Sequence, residues 1–111
     1  TDLLTLFPHI DAVFAINDPT AIGADVAARQ AGRSDFFIVG VDGAPKAKAR
    51  MKDGNSLLAA TVAQMPDKLA QKAVEAGYAL IRDHSIPERT VLIPAVLLTR
   101  DSLRDSEDWG Q

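Results

Sequence analysis

The chain has 111 residues, enough for one domain that buries roughly two-thirds of the surface its unfolded form exposes, and too few for two full lobes. Its hydrophobic content of 47% with 24% charged residues is that of a globular chain and argues against disorder. A net charge of -3 without a dense basic block gives no footprint for nucleic acid, and the absence of cysteine excludes a disulfide framework and a thiolate metal site.

The densest basic run, PKAKARMK, reads as the solvated face of a helix. No run approaches the ~18 apolar residues of a membrane helix. The first residue, Thr1, follows neither a basic nor an apolar leader segment, so the expectation is a mature protein or a fragment.

Residues 2 to 7, DLLTLF, read as the last turns of a helix closed by Pro8, since the residue before a proline is pushed out of helical geometry. Residues 12 to 17 then run apolar up to Asn17, the pattern of a strand covered on both faces. Asp18 reads as the cap of a helix whose first position is Pro19, where a missing N–H costs nothing. That helix, PTAIGADVAARQAG, stops at Gly32. FFIVGVDG is a second buried strand, reached by a crossover long enough for a parallel βαβ unit. Of its first two residues, Phe36 and Phe37, at least one belongs to the core.

APKAKARMKDG reads as a short polar helix ending at Gly54, and LLAATVAQ as a third strand. From Pro66 to about Arg82, the residues Leu69, Ala73, Gly77, Leu80 and Ile81 stack on one helical face with Tyr78 at its border. TVLIPAVLLT is broken by Pro94, which removes a ladder donor, and is expected as an edge strand or two short pieces. Residues 101 to 111 are expected to be a polar tail, with Trp109 pinned to the body. Strands alternating with helices call for an α/β fold: three layers, a mostly parallel sheet with helices on both faces.

Three apolar runs end alike, on Asn17, Asp42 and Gln64, each about one βα period from the next. In open parallel sheets ligands bind beyond the carboxyl ends of the strands, where each βα turn aims a side chain and a helix N-terminus at the same space. Asp42 accepts two or more hydrogen bonds, and Asn17 and Gln64 both donate and accept, which matches a polyol. Each residue also has a local reading. Asn17 can satisfy its own turn, Asp42 can cap the helix before Ala44 and Pro45, and Gln64 can be an exposed strand end. With Asp18 as the cap after the first strand, Asn17 is left for other work.

The ordered stretches AVFAINDPTAIGA, FFIVGVDGAPKA and LLAATVAQMPDKLAQKAVE resemble the carboxy-terminal half of the ribose-binding-protein-like periplasmic sugar-binding proteins, the type I solute receptors of ABC importers. The resemblance spans roughly residues 3 to 100. It implies that the Asn of FAIND, the Asp of VGVDG and the Gln of TVAQMP, here Asn17, Asp42 and Gln64, hydrogen-bond sugar hydroxyls, with no cofactor and no metal. It implies a periplasmic location and, as partners, a small sugar or polyol, the membrane permease of an ABC importer and an amino-terminal lobe that this sequence lacks. The last helix and strand cross the hinge in that family, so residues 1 to 100 are expected to be a sugar-binding lobe that includes both elements. Without the first lobe the helix would expose an apolar face, and the chain is expected to fold those elements back or to exchange them in a homodimer.

Two other classes compete. A transcription regulator of the lactose-repressor type shares this fold in its effector-sensing domain, although AATVAQMP is closer to a transport receptor. An enzyme would use Asp18 and Asp42 as paired carboxylates, with Mg²⁺ or in acid/base roles. Against it, GVDG lacks the spacing of a dinucleotide fingerprint and no phosphate-loop Lys follows. Ser34, Ser56, Ser85, Ser102 and Ser106 fall in polar connections, and His9 and His84 in polar turns beside prolines, which favours surface roles.

Overall fold

The computed structural model describes residues 2–85 and 90–105. Their contacts divide them into two units, one reaching Ala63 and resuming at Val96, the other Gln64–Ala95.

The first unit holds a four-stranded sheet with β1 (Ala12–Phe14), β2 (Phe37–Asp42), β3 (Leu58–Ala63) and β4 (Val96–Thr99) side by side in that order. The first three are parallel, joined through α2 (Asp18–Gln30) and α3 (Pro45–Lys52) as βαβ units, and β4 runs antiparallel to β3 at the edge. The sheet is therefore mixed, with α/β architecture. Pro94 lies just before β4, so the strand forms only beyond the residue that cannot donate to a ladder.

Side chains alternate across a sheet, and the register stacks Val13, Ile38 and Leu58 on one face. Ile38 and Leu58 are fully buried there with Phe36, Met51 and Ala47. One step on, Gly40, Thr61 and Leu98 stack on that same face, and Thr61 and Leu98 are buried. The alternate positions differ. Phe14 and Ile16 are 72% and 76% exposed, and Phe37 and Leu97 are also exposed. The expectation that residues 12 to 17 are covered on both faces is thus corrected: Val13 of β1 is partly buried and Ala15 just past it is buried, while Phe14 and Ile16 between and beyond them face solvent.

Arg33, just past α2, donates to the carbonyls of Leu4 and Phe7 at 3.1 Å each and pairs with Asp35 through Nε at 2.6 Å. One guanidinium thereby satisfies the open end of α1 (Asp2–Leu6). At the other terminus the expected polar tail begins as a helix, α5 (Arg100–Asp105). Thr99 and Ser102 cap it reciprocally, each backbone N–H donating to the other's hydroxyl at 2.8 and 3.2 Å. Leu103 enters the core and Arg100 donates to the carbonyls of Ser56 and Leu58. An apolar anchor and a guanidinium bonded to two carbonyls thus dock a charged hexapeptide. Trp109 lies outside the described residues.

The second unit contains α4 (Pro66–Asp83), which starts on Pro66 and stops at His84 in a left-handed conformation, φ 54°. It is strongly amphipathic, yet no residue in it is buried, and Leu69, Val74, Tyr78, Leu80 and Ile81 are exposed. Among the described residues no helix is long and apolar enough to cross a membrane.

Asp25, fully buried on α2, accepts hydrogen bonds from Arg50 Nε at 2.6 Å, the Leu57 N–H at 2.7 Å and Ser56 Oγ at 3.1 Å. Burial pushes its carboxyl up, but the Leu57 N–H, Arg50 and Ser56 together outweigh this and hold it below the ordinary value of 3.8. Because the folded value is the lower one, Asp25 stabilises the fold fully above about pH 4, and this contribution is lost as pH falls through the folded value. We expect Asp25→Asn to lower stability at neutral pH by ~1–3 kcal/mol and to flatten the acid limb of the urea-midpoint profile. A profile parallel to that of the wild type would contradict the role.

Candidate functional site

Asn17 stands between β1 and α2 with an extended backbone, φ -153° and ψ 167°, and its side chain accepts the Thr20 N–H at 2.9 Å. It is the N-cap, and the expectation that Asp18 is the cap is corrected by one residue. The cap is the last position with extended dihedrals, and Asp18 is already helical. Capping uses Oδ1, which leaves the two N–H groups of the half-buried Asn17 amide as donors at the sheet edge.

Asp18 instead turns inward and is fully buried. Its Oδ1 accepts the Thr61 hydroxyl at 2.6 Å and its Oδ2 the Ala44 N–H at 2.7 Å. The Thr61 hydroxyl oxygen in turn accepts the Gly43 N–H at 3.2 Å. Space for this carboxylate exists because residue 40 has no side chain: a Cβ there would lie 2.4 Å from Asp18 Oδ1 and 3.1 Å from Ala21 Cβ. The turns after β1 and β2 and the middle of β3 are thereby tied to one buried group. Among the described residues Asp18 forms no ion pair.

Asp42, at the carboxyl end of β2, has φ 127°, followed by Gly43 at φ 72°. A side chain held there costs on the order of 1–3 kcal/mol, a strain found where a site needs a particular aim. Gly43 can follow that path because it has no Cβ, which would otherwise lie 2.5 Å from Ala63 Cβ. The half-buried Asp42 carboxylate accepts the Asp18 N–H at 3.4 Å. Asp42 does not cap α3, whose N-cap is Ala44, without a side-chain bond.

The structure therefore brings Asn17 and Asp42 together at the carboxyl edge of adjacent parallel strands, linked through the residue next to Asn17. Gln64 is exposed and follows Ala63, the register partner of Asp42; it belongs to the second unit. His9 and His84 are exposed, and Ser56 is buried as a donor to Asp25. An open groove of about 390 Å³ lies at the opposite, amino edge of the strands, lined by Phe36, Phe37, Leu57, Thr99 and Arg100. Its cation is already engaged by the carbonyls of Ser56 and Leu58.

Sequence reasoning missed Thr61 and misread Asp18. The available signal was a hydroxyl inside the apolar run LLAATVA, at the position paired with a glycine in FIVGVD.

This arrangement of βα turns is shared with known proteins. The model of the periplasmic binding protein domain matches residues 1–85. The chain belongs to the periplasmic binding protein family. Among its curated relatives, the ribose import binding protein RbsB of Salmonella typhimurium is 42% identical over 85 residues, covering 77% of this chain and 28% of the relative. RbsB of Bacillus subtilis is 37% identical over 99 residues, covering 89% and 31%. Among solved structures, a periplasmic solute binding protein of Actinobacillus succinogenes with bound D-allose superposes with TM-score 0.82 at 30% identity, covering 95% of this chain and 36% of that one. A solute binding protein of Agrobacterium vitis with bound allitol gives TM-score 0.81 at 30% identity, covering 94% and 37%. This periplasmic binding protein chain thus spans about a third of the length of the relatives it matches.

Filling the space beside Asp18 is predicted to be costly. Gly40→Ala should destabilise the chain by ~1–3 kcal/mol in urea unfolding, because the new methyl displaces a carboxylate bonded on both oxygens. An unchanged midpoint would contradict the packing described for Asp18.

Proposed function

We propose that this chain supplies the sugar-contacting edge of a periplasmic solute receptor, which binds a small carbohydrate or polyol reversibly and without chemistry for delivery to an ABC permease. The observation that carries this reading is Asp42, an acceptor with a strained backbone at the end of the middle parallel strand. Asn17 stands beside it with an amide N–H₂ still available.

Hydroxyl groups of a sugar donate to the carboxylate and accept from the amide, a complementarity that needs no metal and no nucleophile. Gln64 is the third contact in this reading, favoured by its position one residue beyond the register partner of Asp42. The rest of the pocket belongs to a second lobe. Receptors that act this way close two lobes around the ligand, and this chain corresponds to 28% of the ribose import binding protein.

Relatives named as import binding proteins, and neighbours carrying D-allose or allitol, favour a transport receptor over a lactose-repressor-type regulator. Catalysis by paired carboxylates is disfavoured by Asp18, whose two oxygens are both engaged inside the protein.

Hydrogen bonds to a charged acceptor contribute ~1.5–3 kcal/mol each, so loss of Asp42 should weaken binding at least about tenfold. We expect calorimetry against D-ribose, D-allose and allitol to find at least one ligand, bound weakly by this chain, and Asp42→Ala to bind it at least tenfold less tightly. Equal affinity in the variant would contradict the site assignment.

A further inference from the structure

The strain at Asp42 needs a cause, and the hydrogen bonds around it supply one. A backbone at φ 127° persists only when its surroundings over-determine it. The two residues that follow Asp42 are held by their amides: Gly43 N–H by the Thr61 hydroxyl at 3.2 Å, and Ala44 N–H by Asp18 Oδ2 at 2.7 Å. Thr61 and Asp18 are bonded to each other at 2.6 Å, and both are fully buried. The Asp42 carboxylate accepts the Asp18 N–H. Asp42 is thus fixed at its side chain and at both following peptides by one buried pair, with Gly43 pressed against Ala63.

We propose that Asp18 and Thr61 are positioning residues for sugar binding: a buried clamp that holds Asp42 in its positive-φ conformation and so sets the aim of its carboxylate, without touching the ligand. The inference rests on the function proposed above and names the device that prepares that edge. Preorganisation of this kind raises affinity by removing the ordering cost from the binding step.

The two members make different contributions. Thr61 supplies one donor and one acceptor from a single hydroxyl, which serine reproduces and valine does not. Asp18 supplies two acceptors, and asparagine keeps only one.

The test measures amide hydrogen exchange and sugar affinity in the full chain for the wild type, Thr61→Val, Thr61→Ser and Asp18→Asn, with D-ribose and D-allose as probes. Exchange at Gly43 and Ala44 reports the clamp, and exchange at Ala15 and Ile38, which bond to the Val39 and Leu57 carbonyls, reports the sheet. We expect Thr61→Val and Asp18→Asn to speed exchange at Gly43 and Ala44 at least tenfold with Ala15 and Ile38 unchanged, and to weaken probe binding at least tenfold. Thr61→Ser should behave as the wild type in both.

Unchanged protection at Gly43 and Ala44 in both disruptive variants would overturn the clamp. Uniform loss of protection across all four amides would also overturn it, since Asp18 and Thr61 would then be ordinary contributors to stability. If the wild type binds neither probe, the functional reading fails by itself, and the exchange pattern still decides whether the clamp exists.

Discussion

The structure turns on one buried carboxylate. Asp18 is fully excluded from solvent, and removal of such a group from water is tolerated only when its oxygens are met by well-placed donors. Those donors are a hydroxyl from β3 and a backbone N–H from the turn after β2. They hold three segments far apart in sequence at one junction. The requirement propagates outward: residue 40 must be glycine to leave room, residue 61 must carry a hydroxyl facing inward, and the turn through Asp42 and Gly43 must rise steeply enough to present the Ala44 amide. The positive-φ backbone of Asp42 lies on that path.

Helix α2 shows how the same physics operates at both ends of the sheet. Its buried residues are Asp18, Ala21, Asp25 and Ala28, spaced three and four apart on one face. The stripe against the sheet is therefore small and acidic rather than greasy. At the carboxyl edge, Asp18 gathers uncharged donors around the candidate site. Two turns on, Asp25 meets Arg50, Ser56 and the Leu57 N–H, and fastens α2 to α3 and to the start of β3. The first carboxylate holds the turn that carries Asp42, and the second secures the scaffold behind it.

This division explains what was legible in the sequence. Apolar runs bounded by turn residues located the strands, and their alternation with helices yielded the parallel portion of the sheet and the common edge of Asn17 and Asp42. Asp18 was misread because the motif Asn-Asp-Pro offers two good caps, and only backbone dihedrals decide between them. An acid in the inward stripe of α2 looks like a surface residue when periodicity is the criterion. Helix α5 was hidden by its charges, since Leu103 is the one apolar residue in RDSLRD and a Thr-x-x-Ser cap is a faint signal. The outward side of β1 was misjudged because a continuous apolar run does not distinguish a doubly covered strand from one with an exposed face, as Phe14 and Ile16 have here.

The most direct test of the account is a nuclear magnetic resonance titration of the labelled chain with D-allose, following the Asp42 side-chain carboxyl carbon and the Asn17 side-chain amide, because such a titration detects even the weak binding expected. The account predicts that both resonances move together and saturate at one ligand concentration, while those of Phe37 and Arg100, at the opposite edge of the sheet, stay still. Movement confined to the groove beside Phe37 and Arg100, or shifts of Asp42 and Asn17 with unrelated midpoints, would contradict it.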